Sequence, residues 1–238
     1  MTVEQAWLCY PAPRPRAVVR LLCFPYAGAP ADVFSALAYR LPGHIEVAAV
    51  CPPGRAGRPG EPAPRSVPEL VAGLVPSLPA HMHGPYRRAA FYGQGLGAQV
   101  AFETARELRR RALPGPSRLL VAGCRAPSWP PVEHAVPDHL FAASILALTR
   151  RGSVRTDDRG LLADLTAQST YRYRPGRRLS VPVHAFHANH DLSTDFDQLS
   201  AWAEHTERAF SLTRIDADHS FLRTHLPFLT QAMAATLT

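Results

Sequence analysis

His219 and Asp191 are the residues of this chain whose types and positions best suit proton transfer. Asp191 ends the turn Ala188-Asn189-His190-Asp191, just after the apolar run Val183 to Phe186. His219 lies in Asp216-Ala217-Asp218-His219-Ser220-Phe221, just after Phe210 to Ile215. A carboxylate that accepts Nδ1–H of an imidazole fixes its tautomer and holds the other nitrogen toward a substrate. Upstream, Gly93-Gln94-Gly95-Leu96-Gly97 joins the apolar run Ala89 to Tyr92 to the helix-forming run Leu96 to Arg111. A strand, sharp turn and helix of this pattern lift a nucleophile out of the turn, between two glycines that tolerate the strain. Here that position is Gly95, which has no side-chain oxygen, so no acyl-enzyme can form on it. Asp195, Asp216 and Asp218 are less well placed alternatives for the acid.

The other parts of such a site are readable but less specific. Phe24-Pro25-Tyr26-Ala27-Gly28-Ala29 follows the first clear strand. A backbone N–H there, of Tyr26 or Ala27, is expected to face the N–H of Leu96 as an oxyanion hole. Gln94 and Cys124 are expected at the substrate pocket. Cys124 follows the strand Leu119 to Ala122, but no neighbouring base would activate its thiol, so structural burial is the simpler reading. Neither His81 with His83 nor His187 with His190 has metal-ligand spacing, and no metal or cofactor is expected.

The elements that must hold these residues alternate between apolar runs and helical patterns. Alternation of that kind implies an α/β fold, with a mostly parallel sheet covered by helices on both faces. Strands are expected at Val18 to Phe24, Ile45 to Val50, Ala89 to Tyr92, Leu119 to Ala122, Val183 to Phe186 and Phe210 to Ile215. Helices are expected near Asp32 to Leu41, over Pro68 to Leu78 with Ser66 as N-cap, over Leu96 to Arg111, and after His219. The nucleophile–acid–histidine order, with Asp191 and His219 at strand ends, is that of the α/β-hydrolase fold. Between about 127 and 180 the strand rhythm stops. Helical patterns at Asp138 to Arg150 and Asp158 to Tyr171 fit a short lid insertion within a single domain spanning 1–238.

Composition narrows the function classes. The net charge is +7, and all 26 basic residues are arginine. With 24 prolines, this bias fits a GC-rich genome, although it also suits an acidic partner. The arginines are scattered, with small clusters at 109–111 and 177–178, and no nucleic-acid motif accompanies them. No membrane span or signal peptide is evident, so a cytoplasmic protein is expected. The four cysteines lack C-x-x-C spacing and are expected to be reduced and mostly buried.

Several ordered motifs resemble the type II thioesterase family, stand-alone α/β-hydrolases that accompany modular polyketide and nonribosomal peptide synthases. They are Phe24-Pro25-Tyr26-Ala27-Gly28, Pro53-Gly54-Arg55, Ala98-x-x-Ala101-Phe102-Glu103-x-Ala105-Arg106, Arg125-Ala126-Pro127, Tyr171-Arg172-Tyr173-Arg174-Pro175, Trp202-x-x-His205-Thr206 and His219-x-Phe221-Leu222. The resemblance implies a substrate carried as a thioester on the phosphopantetheine arm of an acyl carrier protein. The family's Gly-His-Ser-Met-Gly stands here as Gly93-Gln94-Gly95-Leu96-Gly97, and its Arg-Ala-Asp lid element as Leu162-Ala163-Asp164. The expected function is therefore proton transfer by a His219–Asp191 dyad on a carrier-bound or released polyketide, giving dehydration, isomerisation or cyclisation. Two alternatives remain. One is an editing thioesterase whose serine was exchanged for Gly95; the other is an inert protein that binds acyl carriers.

Overall fold

The computed structural model describes residues 7–55, 57–82, 88–130 and 158–238. The chain runs through β1 (Leu8–Cys9), β2 (Val19–Phe24), α1 (Ser35–Arg40), β3 (Ile45–Val50), α2 (Val67–Leu74), α3 (Pro79–Met82), β4 (Arg88–Gln94) and α4 (Leu96–Arg110). It continues through β5 (Leu119–Ala122), α5 (Asp158–Thr170), β6 (Val183–Ala188), α6 (Phe196–Ser200), β7 (Phe210–Ile215), α7 (Phe221–Thr224) and α8 (Leu226–Leu237). The expected helix Asp138 to Arg150 and His83 lie outside the described residues.

The apolar runs fold as strands because both of their faces are covered. Every residue of β2, β3, β5 and β6 is buried. The seven strands are ordered β1-β3-β2-β4-β5-β6-β7. All neighbouring pairs are parallel except β1 with β3. The order reverses where β2 meets β4, with Phe24 opposite Gly93. Open parallel sheets form their sites at such a reversal, beyond the carboxyl ends of the strands. One core cluster includes Phe24, Phe91, Phe102 and Trp202; the other includes Phe34, Tyr92, Phe186 and Phe221.

Four elements differ from expectation. The helix expected over Pro68 to Leu78 is α-helical only to Leu74 and then tightens into a 3-10 turn at Val75–Ser77. Pro76 has no N–H to continue the ladder, and its ring crowds the carbonyl four residues back. The segment near Asp32 likewise begins as a 3-10 turn, Ala31–Phe34, before α1. Strand β6 runs two residues further than the apolar run, through His187 and Ala188, because β7 continues to pair with it. β1 was not expected, since two residues carry no alternation to read.

The arginine clusters are used locally. Arg110 and Arg111 pair with Glu107, at 2.7 and 2.6 Å. Arg109 donates to the carbonyls of Arg177 and Arg178, the first at 2.6 Å. At the start of α2, Ser66 Oγ accepts the Glu69 N–H at 3.3 Å, while the Glu69 carboxylate accepts from Arg65 N–H at 2.9 Å. Replacing this cap, Ser66→Ala, is expected to lower the stability to unfolding by about 1 kcal/mol. A urea titration checks this by a lower midpoint at an unchanged slope.

Candidate active site

The turn after β4 has the shape that the glycine spacing implies. Gly95 has φ 54° and ψ −123° and caps the N-terminus of α4. The outer glycines are required by close approach. A Cβ on Gly93 would lie 2.2 Å from the Gly97 carbonyl oxygen, and one on Gly97 would lie 2.1 Å from that of Phe24. Above Gly95 there is room. Among the described residues, a Cβ there would meet only Tyr26 Cβ, at 3.6 Å. Leu96 begins α4, so its N–H has no intrahelical partner and adds to the positive end of the helix dipole.

Asp191 and His219 come together beside this turn. Asp191 Oδ2 lies 2.8 Å from His219 Nδ1; the aspartate side chain is 3% exposed and the histidine side chain 45%. The pair is thus anchored on the buried carboxylate and open on the imidazole side. Gly123, at φ 51°, makes room for it: a Cβ there would lie 2.9 Å from His219 Cε1 and 3.1 Å from Nδ1. Ser193 completes the arrangement. Its N–H and hydroxyl both donate to Asp191 Oδ1, at 2.8 and 2.6 Å, and its Oγ lies 3.3 Å from His219 Nδ1. Because Ser193 sits on the Nδ1 side, it orients the carboxylate and does not face Nε2.

These contacts set the titration of the pair. The Asp191 hydrogen bond raises the His219 pKa above 6.5, against the opposing effect of burial, and the charges of Asp191 and Asp218 add to the rise. Burial would raise Asp191, but the bonds from His219 and Ser193 outweigh it and hold the carboxyl below its usual value. The other candidate acids are engaged elsewhere. Asp195 caps α6, Asp216 pairs with His190 at 2.8 Å, and Asp218 accepts from Ser220 N–H at 2.8 Å.

The loop after β2 lies across from the turn. Gly28 N–H donates to Asp164 Oδ2 at 2.8 Å. Among the described residues, the N–H groups of Tyr26 and Ala27 make no hydrogen bond. Asp164 comes from α5, and its other oxygen forms a buried ion pair with Arg55, whose Nε lies 3.2 Å away. Burial pushes the Asp164 carboxyl up, against the pull of Arg55 and the Gly28 N–H. One carboxylate thus fastens a helix of the expected lid to both the Pro53-Gly54-Arg55 loop and the loop carrying Tyr26 and Ala27.

A largely apolar cleft adjoins the turn. Trp7, Phe24, Val50, Leu70, Leu96 and Val100 are among its walls, and Arg55 and Asp164 also line it. Two residues expected at the pocket lie outside this cleft. Gln94 is buried and donates through Nε2 to the His219 carbonyl at 2.8 Å, so it braces the histidine loop and does not line this cleft. Cys124 is also buried and outside the cleft, and burial pushes its thiol up to about 12, which leaves no thiolate for attack. No group of three potential ligands occurs among the described residues, His81 contacts Tyr10 at 2.7 Å, and His190 contacts Asp216.

A profile of the thioesterase domain matches residues 19–236. The chain belongs to the thioesterase family. It is 35% identical over 227 residues to the thioesterase PikA5 of Streptomyces venezuelae, spanning 91% of this chain and 80% of that protein. It is 30% identical over 217 residues to the gramicidin S biosynthesis protein GrsT of Aneurinibacillus migulanus, spanning 87% and 84%. Among solved structures, BorB, a type II thioesterase from the borrelidin biosynthetic cluster, matches with a TM-score of 0.84 at 29% identity, covering 98% of each chain. The fold of this thioesterase-family chain is the α/β-hydrolase fold. Among the described residues, no helix is long and apolar enough to cross a membrane.

Two outcomes are expected from this geometry. By NMR titration His219 should show a pKa above 6.5, and Asp191→Asn should bring it down. The stabilisation that His219 draws from the pair is full below about 6.5 and fades as pH rises through its folded-state pKa. The Asp191 contribution runs the other way, present above its usual value and lost as pH falls through its lowered one. Separately, Asp164→Ala strands Arg55 without its carboxylate and should cost about 3–5 kcal/mol of stability. Chemical denaturation measures that loss, and removing both partners together should cost less than the two single losses combined.

Proposed function

We propose that this thioesterase-family protein acts in polyketide or nonribosomal peptide biosynthesis, moving a proton on a carrier-bound or released chain without forming an acyl-enzyme. The observation that carries this reading is the His219–Asp191 pair, joined at 2.8 Å, beside a turn whose apex is Gly95. The pair supplies a base and its orienting acid, and the turn supplies no attacking oxygen. Nε2 of His219 would take a proton next to a thioester carbonyl. The N–H groups of Leu96 and of Tyr26 or Ala27 would hold the negative charge that develops on the carbonyl oxygen. Returning the proton to another atom gives a double-bond shift, and returning it to a departing hydroxyl releases water. Ring closure uses the same groups.

The setting is supported by the relatives, two of which are named for gramicidin S and borrelidin biosynthesis. The apolar cleft beside Leu96 suits the hydrocarbon part of such a chain. On this reading the space above Gly95 admits a substrate bulkier than a serine there would allow.

A second reading, thioester hydrolysis by a form carrying serine at this position, is favoured by the backbone of Gly95. Its angles and the space above it match what a nucleophile turn requires.

Mass spectrometry of candidate polyketide thioesters on a carrier protein, before and after incubation, separates these readings. Loss of water, or a rearranged product of equal mass, is expected from proton transfer. His219→Ala should slow that conversion roughly 10²–10⁴-fold, and an unaltered rate in that variant would overturn the proposal. Release of free acid by Gly95→Ser, with no other conversion by the unmodified chain, would favour hydrolysis. Carrier binding with the acyl group unchanged would point to an inert binder.

A further inference from the structure

Two cysteines outside the proposed reaction lie against each other. Cys9 ends β1, and Cys51 follows directly on β3. In this antiparallel pair Leu8 lies opposite Val50 and Cys9 opposite Ala49, and Cys51 N–H donates to the Trp7 carbonyl at 2.8 Å. Cys9 and Cys51 are therefore diagonal neighbours on one face of the sheet edge. Their Sγ atoms are 2.9 Å apart, with the Cys51 thiol donating to Cys9. That is closer than two sulfur surfaces in van der Waals contact, and about 0.9 Å beyond a covalent S–S bond.

Accessibility and reactivity separate this pair from the other two cysteines. Cys9 and Cys51 are partly exposed, whereas Cys23 and Cys124 are buried. Burial pushes the thiols of Cys23 and Cys124 well up. The hydrogen bond from Cys51 instead holds the Cys9 thiol below its ordinary value, outweighing burial and the nearby Asp32 charge. Cys9 is thus the sulfur best placed to act as a nucleophile. The pair packs against the core on the far side of the sheet from the cleft, but its chain neighbours reach that cleft. Trp7 lies two residues before Cys9, and Val50 and Pro52 flank Cys51; all three line the walls.

We infer that Cys9 and Cys51 are a reversible modification site, closing to an intramolecular disulfide under peroxide and reopening under thiol reductant. The Cys9 thiolate attacks one oxygen of hydrogen peroxide, which leaves a sulfenic acid on Cys9 and expels hydroxide, protonated to water. Cys51, losing its proton, attacks that sulfur and expels the second oxygen as water. Two thiols are oxidised by two electrons, and one peroxide is reduced to two waters. The bond ties β1 to the end of β3 across 42 positions of sequence. This site stands apart from the proton-transfer reading and does not depend on it.

The test is a thiol count on the full chain, reduced, freed of reductant, treated with hydrogen peroxide and then alkylated after denaturation. The expected result is a protein two hydrogens lighter with two of its four thiols protected, and a cross-linked peptide pair bearing Cys9 and Cys51. Dithiothreitol should restore all four thiols. Cys9→Ser and Cys51→Ser should each abolish the cross-link. Four alkylated thiols after oxidation would overturn the inference. So would a bond that uses Cys23 or Cys124, or one that forms only between molecules.

Discussion

The first turn of α4 runs so close to the end of β2 that the backbone of one occupies the space a side chain would need on the other. A Cβ on Gly97 would come within 2.1 Å of the Phe24 carbonyl oxygen and 2.7 Å of that of Pro25. Gly93 is held by the same crowding from the far side, against the carbonyl of Gly97. This approach brings the start of the helix alongside Pro25-Tyr26-Ala27. It leaves Gly95 at the apex of the turn, at the N-terminus of α4. The sheet supplies the reason, because β2 and β4 are neighbours in register up to Phe24 and Gly93.

Around that contact, charge is distributed by two buried carboxylates with different duties. Asp191 is shared between His219 and Ser193, so three groups on one side of the sheet edge hold one another in place. Asp164 is shared between Arg55 and Gly28, so the loop after β2 is tied to α5 and not to the dyad. Both carboxylates keep their oxygens occupied by donors, as buried acids must. The imidazole is the one member of the dyad left substantially open to solvent.

Much of this was legible from residue types. Most strands stood out because buried parallel strands read as largely apolar runs, and Ile45–Val50 and Leu119–Ala122 fall where their runs do; Phe210–Ile215, a mostly unburied edge strand with polar residues, also falls at its expected bounds. Asp191 and His219 were legible because each follows such a strand. Ser193 was not, since a serine two residues after an aspartate is an ordinary turn signal. Gly123 was missed because its role lies in a contact with residues 68 or more positions away. Asp164 could be marked only by resemblance; its partners Gly28 and Arg55 are more than a hundred residues distant. Cys9 and Cys51 have no motif spacing, and only the antiparallel edge strand brings them together. Gln94 and Cys124 were placed at the pocket by proximity to strand ends, which says nothing of the direction a side chain takes.

The torsions of Gly95 carry a thermodynamic consequence. At φ 54° and ψ −123° a residue with a side chain sits in a sparsely populated region and costs on the order of 1–3 kcal/mol. Glycine adopts these angles nearly free of strain, so the bend here is relaxed where a nucleophile-bearing bend is sprung. Reactivity and robustness are commonly traded against each other at such apices. This chain occupies the robust end of that exchange, and it holds its fold with a margin that a sprung counterpart would surrender.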